Sequence, residues 1–211
     1  MGLIHIDLFM TVDGVAQAPG GPEEDPEGGF AFGGWQAPVF DEIVGEQVGA
    51  SMAGLDALLL GRKTYDIFAA YWPHQEQGED GEISRLFNAV PKYVASRGRP
   101  SLDWAGSTQL GPDLPAAVRE LRDRHEHVHV IGSLDLVQTL LAERLYDRLT
   151  LWVFPVMLGQ GKQVFASGTV PANLTLIEPA QTSRTGAVLL RYAAAEGIPR
   201  TGDMSQPDRG A

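Results

Sequence analysis

A chain of 211 residues, 44% hydrophobic and 20% charged, has the make-up of one well-packed domain. Its formal net charge of −11 argues against a nucleic-acid partner, and the absence of cysteine excludes disulfides, thiolate catalysis and Cys-bound zinc. No apolar run approaches the roughly 20 residues of a membrane span, and no basic segment followed by an apolar core opens the chain, so a cytoplasmic location is expected.

Leu3 to Val12 reads as a buried strand broken by Asp13-Gly14. Residues 18–36 are rich in Gly and Pro and carry Glu23, Glu24, Asp25 and Glu27, which predicts a long loop of the kind that covers functional sites. Val39, Phe40, Ile43, Val44, Val48 and Met52 recur at helical spacing. Leu55 to Leu60 is a buried strand, and Thr64 to Tyr71 a short helix ending before Trp72-Pro73. Residues 74–82 are polar and loop-like. Tyr93 to Ala95 is a strand, Pro115 to His125 a helix, Val128 to Ile131 a strand, and Leu134 to Leu141 a helix. Leu149 to Met157 is a long strand. Leu174–Ile177 and Val188–Tyr192 suit a terminal antiparallel pair, with Thr185-Gly186 near the turn. Residues 197–211 lack an apolar period and read as a disordered tail, leaving one domain over residues 1–196. Strands alternating with helices predict an α/β fold: a mainly parallel sheet with an antiparallel end, and ligands at the carboxyl ends of its strands.

Two apolar runs end in glycine and open a helix: Leu58–Gly61 leading into Arg62-Lys63-Thr64, and Val128–Gly132 leading into Ser133-Leu134. A helix N-terminus offers unpaired N–H groups and a partial positive charge, and glycine admits close approach, so each junction suits a phosphate. Two of them suit a dinucleotide. The bland reading of the first is a helix start with two solvated basic residues. The bland reading of the second makes Ser133 an N-cap and Asp135 a first-turn acid. Gly61-Arg62-Lys63-Thr64 is not a Walker loop, because no glycine stands six residues before Lys63, and Gly159-Gln160-Gly161 lacks the third glycine of a Rossmann fingerprint. Asp13 is a substrate contact or a turn residue; Asp41 and Glu42 are pocket acids or a solvated helix face. His125, His127 and His129 alternate along one strand face, but no nearby carboxylate of clear ligand geometry accompanies them and Val128 and Val130 suggest simple entry into a strand, so no metal is expected. No Gly-x-Ser-x-Gly elbow is present.

In order, Met10–Gly14, Leu58–Thr64, Tyr93–Arg97, Val130–Leu134 and Pro155–Lys162 followed by Val164-Phe165 resemble the dihydrofolate reductase-like superfamily. Within it, the nearer resemblance is to the reductase domain at the C-terminus of the bifunctional riboflavin-biosynthesis deaminase–reductase. The resemblance implies a three-layer fold, a homodimer, NADPH as cofactor, and hydride transfer to a small heterocyclic or ribosylamino-pyrimidine-like substrate. It makes Gly61, Arg62, Lys63 and Thr64 the phosphate-binding turn, and Ser96 with Arg97 the site of the adenosine 2′-phosphate. Ile131, Gly132, Ser133 and Leu134 become the second diphosphate turn, with Val12 and Ala16 beside the nicotinamide and Asp13 near the substrate. Ser133 stands where dihydrofolate reductase has a second glycine, and Asp41 is the candidate for its pocket acid. The alternatives are a non-catalytic NADP-binding sensor and dihydrofolate reductase proper.

Overall fold

The computed structural model, which describes residues 1–78 and 80–203, places the first strand near the centre of the sheet rather than at its edge. Chain order runs β1 (Leu3–Thr11), α1 (Glu42–Ser51), β2 (Ala57–Gly61), α2 (Arg62–Tyr71), α3 (Gly81–Ala89), β3 (Lys92–Ala95) and β4 (Ser107–Gln109). It continues through α4 (Leu114–Arg124), β5 (His127–Ile131), α5 (Leu134–Ala142), β6 (Arg148–Phe154), β7 (Asn173–Leu176), β8 (Gln181–Thr182) and β9 (Val188–Ala195). The spatial order is β4-β3-β2-β5-β1-β6-β9-β7, with β8 also paired to β9. The six strands from β4 to β6 are parallel neighbours, and β9 runs antiparallel to β6, β7 and β8. The α/β architecture with its antiparallel C-terminal end is therefore as the sequence predicts, and Thr185-Gly186 lies in the turn joining β8 to β9.

Alternation along each strand sorts the core into two layers. Ile4, Ile6, Leu8, Val128 and Val130 pack with Val118, Leu121, Val137 and Leu140 of α4 and α5. Leu58, Leu60, Val94, Ile131, Trp152 and Phe154 pack on the other face with Val44 and Val48 of α1 and Phe87 of α3. Both faces being covered accounts for the unbroken apolar run of β2.

Three readings are corrected. Residues 81–89 form a helix, part of which the polarity of 74–82 hid; Ile83, Leu86, Phe87 and Val90 carry its apolar face. The short strand β4 has no apolar pattern and is held by pairing with β3. Phe40, counted as helix core, lies outside α1 and is 45% exposed. Of the tail over 197–211, residues 204–211 lie outside the described residues, and the Gly197 carbonyl accepts a bond from Arg144 at 3.3 Å.

Against α1 the sheet carries a polar row where apolar residues are expected. Asp7 and His129 are 2% and 1% exposed, and His129 Nδ1 lies 2.7 Å from Asp7 Oδ2. His5 stacks on His129 with ring centroids 4.4 Å apart, and its Nε2 lies 3.1 Å from Nδ1 of His127. His125 stands apart, bonded to the Tyr93 hydroxyl at 2.9 Å. Burial, reinforced by His129, lowers the pKa of His5 to about 4, despite the opposing charge of Asp7. The unfolded chain takes up this proton near pH 6.5 and the folded chain does not, so stability is full above pH 6.5 and falls as pH drops toward 4. The His5 contribution is on the order of 2 kcal/mol, discounted for its partial exposure. Urea titrations at several pH values are expected to show that decline, and His5→Gln is expected to flatten it between pH 6.5 and 4.

Candidate functional site

The carboxyl ends of β2, β3, β5, β1 and β6 bring the predicted residues to one edge of the sheet. There the two glycine junctions touch. The Ser133 hydroxyl accepts the Gly61 N–H at 2.8 Å, and a Cβ at Gly61 would lie 3.3 Å from the Ser133 side chain. A Cβ at Gly132 would lie 3.8 Å from the Thr64 methyl. Gly61 is thus small to admit Ser133, and its own N–H is already spent. Ser133 occupies the position before α5 but does not cap it with its side chain, a correction to the N-cap reading. Gly132 and Ser133 both have left-handed backbone, with φ of 66° and 58°. Two such residues in a row, one of them non-glycine, mark strain of the kind held at binding sites. The geometry sets the N-termini of α2 and α5 side by side, each with first-turn N–H groups that lack helical partners.

The basic residues divide. Arg62 Nε pairs with Asp66 at 2.7 Å, one turn along α2. Lys63 is bound by Asp25 and Glu27 of the long loop, at 2.8 and 2.6 Å. Arg97 is exposed at the end of β3 and makes no hydrogen bond or ion pair among the described residues; beside it the Ser96 hydroxyl accepts the Gly98 N–H at 3.1 Å. Ile131 is buried in the core, and Leu134 begins α5.

Past the end of β1, Asp13 ties two loops together. Its carboxylate accepts the Thr11 hydroxyl, the Gly159 N–H at 2.7 Å and the Leu158 N–H at 3.2 Å. The Thr11 bond, followed by that from Gly159, holds its carboxyl below the usual range. Asp13 is therefore ionised at neutral pH and acts as an acceptor that positions the loop after β6. Val12 beside it is 59% exposed and Met157 76%, giving this end of the edge an apolar surface. Ala16 donates its N–H to the Lys162 carbonyl at 2.9 Å. Asp41 caps α1, accepting from Val44 N at 3.0 Å, and reaches across to Thr185 N at 3.0 Å. Desolvation pushes its carboxyl up, but these bonds hold it below its ordinary value. No hydrogen bond links Asp13 and Asp41 among the described residues.

The loop predicted to cover the site is anchored. The Trp35 indole donates to the Gln17 carbonyl at 2.8 Å, and the Gln17 amide donates to the Asp25 and Glu27 carbonyls at 2.9 and 3.0 Å. Phe30 packs so closely on Gly161 that a Cβ there would lie 2.8 Å from its ring. Lys162 reaches Asp25 at 2.8 Å and also bonds Glu27. Sequence reasoning gave Lys162 no role. The signal available was an acidic cluster in one loop and a lone lysine after a Gly-x-Gly turn, with nothing to say that they meet.

A mainly parallel sheet with paired helix N-termini at its carboxyl edge is the arrangement of α/β proteins that bind ligands at strand ends. Residues 3–189 match the family model described as RibD C-terminal domain, and the chain belongs to that family. The uncharacterized protein YyaP of Bacillus subtilis is 26% identical over 195 residues, covering 90% of this chain and 93% of that one. Two solved structures share the fold. A candidate riboflavin biosynthesis protein of Shewanella sp. PV-4 superposes with a TM-score of 0.70 at 17% identity, over 92% of this chain and 99% of its own. The diaminohydroxyphosphoribosylaminopyrimidine deaminase/5-amino-6-(5-phosphoribosylamino)uracil reductase of Thermotoga maritima superposes with a TM-score of 0.60 at 14% identity, over 92% of this chain and 57% of its own.

Proposed function

We propose that this protein is an NADPH-dependent reductase acting on a small heterocyclic or ribosylamino-pyrimidine-like substrate. One observation carries the reading: the N-termini of α2 and α5 meet through the Gly61–Ser133 contact, with Arg97, which has no partner among the described residues, exposed at the end of β3. These residues fit a dinucleotide. The first-turn amides of both helices and the left-handed Gly132-Ser133 turn suit its diphosphate, and Arg97 suits a 2′-phosphate. The bound cofactor would supply the hydride. Val12 and Met157 would give a planar ring an apolar surface, while ionised Asp13 fixes the loop after β6 and orients a substrate donor group rather than giving up a proton. Asp41 is committed to capping α1 and holding Thr185, so nothing in its surroundings favours folate reduction.

Isothermal titration of the purified chain with NADPH and NADH tests the reading. Micromolar binding of NADPH with much weaker NADH is expected, followed by NADPH oxidation with a ribosylamino-pyrimidine. Binding of neither nucleotide would overturn the reading; NADPH binding without turnover of any pyrimidine or pteridine would leave a non-catalytic binder.

A further inference from the structure

Lys63 and Lys162 come from separate elements, one from the first turn of α2 and one from the loop after β6. Their ammonium groups nevertheless converge on the same two carboxylates. Asp25 gives one oxygen to each, at 2.8 Å in both cases, and a single Glu27 oxygen, Oε2, serves both. This is how two ammonium groups grip one multivalent anion. Hollows of about 450 and 240 Å³ open on either side, both lined by Glu27, the larger reaching Lys63 and the smaller Lys162.

A purely structural clasp explains this arrangement poorly. The loop is already held by the Gln17 amide and the Trp35 indole, and the Lys162 backbone is held by Gln17 and Ala16. The Glu27 side chain is 61% exposed, where an ion pair adds little to stability. Yet Lys63 belongs to the turn at which α2 is best placed to receive a phosphate.

We propose that Lys63 and Lys162 form a two-lysine site for a phosphate group of the ligand, and that Asp25 and Glu27 are its internal competitors, occupying the site until the phosphate exchanges with them. The identity of the phosphate rests on the reductase reading: it belongs either to the dinucleotide or to a phosphorylated substrate. Exchange neutralises the same two ammonium groups and frees the Asp25 and Glu27 carboxylates, while the Gln17 bonds keep their backbone in place.

The test is titration of the full chain with NADPH, inorganic pyrophosphate and ribose 5-phosphate, in the wild type and in Lys162→Gln, Glu27→Gln and Asp25→Asn/Glu27→Gln. Lys162→Gln is expected to weaken binding about tenfold, the loss of one charge-assisted contact. The carboxylate variants are expected to tighten it several-fold, with the gain shrinking as salt is raised. Effects on NADPH and pyrophosphate assign the site to the cofactor; an effect on ribose 5-phosphate alone assigns it to the substrate. Glu27→Gln changes only an exposed side chain, so it keeps the test valid if the double variant misfolds. Unchanged affinity in both Glu27→Gln and Lys162→Gln, with wild type still preferring NADPH, overturns this proposal and leaves the reductase reading standing. Pyrophosphate binding that responds to Lys162→Gln, with no NADPH binding in any form, keeps the anion site and removes the cofactor.

Discussion

His129→Ala is expected to cost the fold about 3–5 kcal/mol, the usual penalty for stripping one partner from a buried polar pair. The size follows from where the pair sits. Asp7 and His129 lie on adjacent central strands, both almost fully buried beneath α1, and the 2.7 Å contact is the Asp7 carboxyl's only hydrogen bond to a side chain among the described residues. Removal of the imidazole leaves that carboxyl without a partner in a place water reaches poorly. It also removes the ring on which His5 stacks. Chemical denaturation at neutral pH reads the loss directly. A change below about 1 kcal/mol would mean that the polar row is solvated, contrary to its burial. A double change to an apolar pair of similar volume is expected to recover much of the loss, because the penalty arises from the orphaned group.

Arg97→Ala is expected to weaken NADPH binding by about 10- to 100-fold while changing NADH less than about twofold. The argument is one of availability. A guanidinium bound to a carboxylate must give up that partner to take a phosphate, and Arg62 is so bound to Asp66. Arg97 makes no such pair among the described residues and stands exposed at the end of β3. Arg62→Ala is accordingly expected to have the smaller effect. Calorimetry on the two single variants separates them. Equal small losses for both nucleotides would remove Arg97 from the 2′-phosphate site while leaving the fold untouched.

Legibility in the sequence followed the physics of each signal. Buried strands announce themselves as short apolar runs, Leu58–Leu60 unbroken and Val128–Ile131 interrupted only by His129, and the glycines ending them mark the helix starts. That is enough for the parallel sheet and for the edge that carries the candidate site. α3 was missed although Ile83, Leu86, Phe87 and Val90 have helical spacing, because its polar lead-in looked like loop. β4 gave no signal at all: Ser107 to Gln109 is a strand only because β3 offers it hydrogen bonds. At the site, residue types were readable and their partners were not. Gly61 suggested room for a phosphate, whereas the room is taken by Ser133, which is distant in sequence. Lys63 reads from sequence as a candidate phosphate ligand or a solvated helix-start residue, but that Asp25, Glu27 and Lys162 join it depends on how two loops meet, and no local pattern encodes that meeting. Asp13 and Asp41 were singled out as acids; their bonds to Gly159 and Thr185 show what each one fastens.

The central position of β1 also constrains how the chain is made. Its two neighbours are β5 and β6, which begin at His127 and Arg148. On the ribosome β1 therefore emerges with no partner, and it waits until the residues from His127 onward are synthesised. β2, β3 and β4 can pair among themselves in the meantime, since each adds onto the one before it. Until His127 and the residues after it are released, the row Ile4, Ile6 and Leu8 has no sheet to join and stays exposed to whatever binds apolar nascent segments. Completion of the sheet thus waits on the long-range pairing of β1 with β5 and β6, the kind of contact that topology makes slow to form.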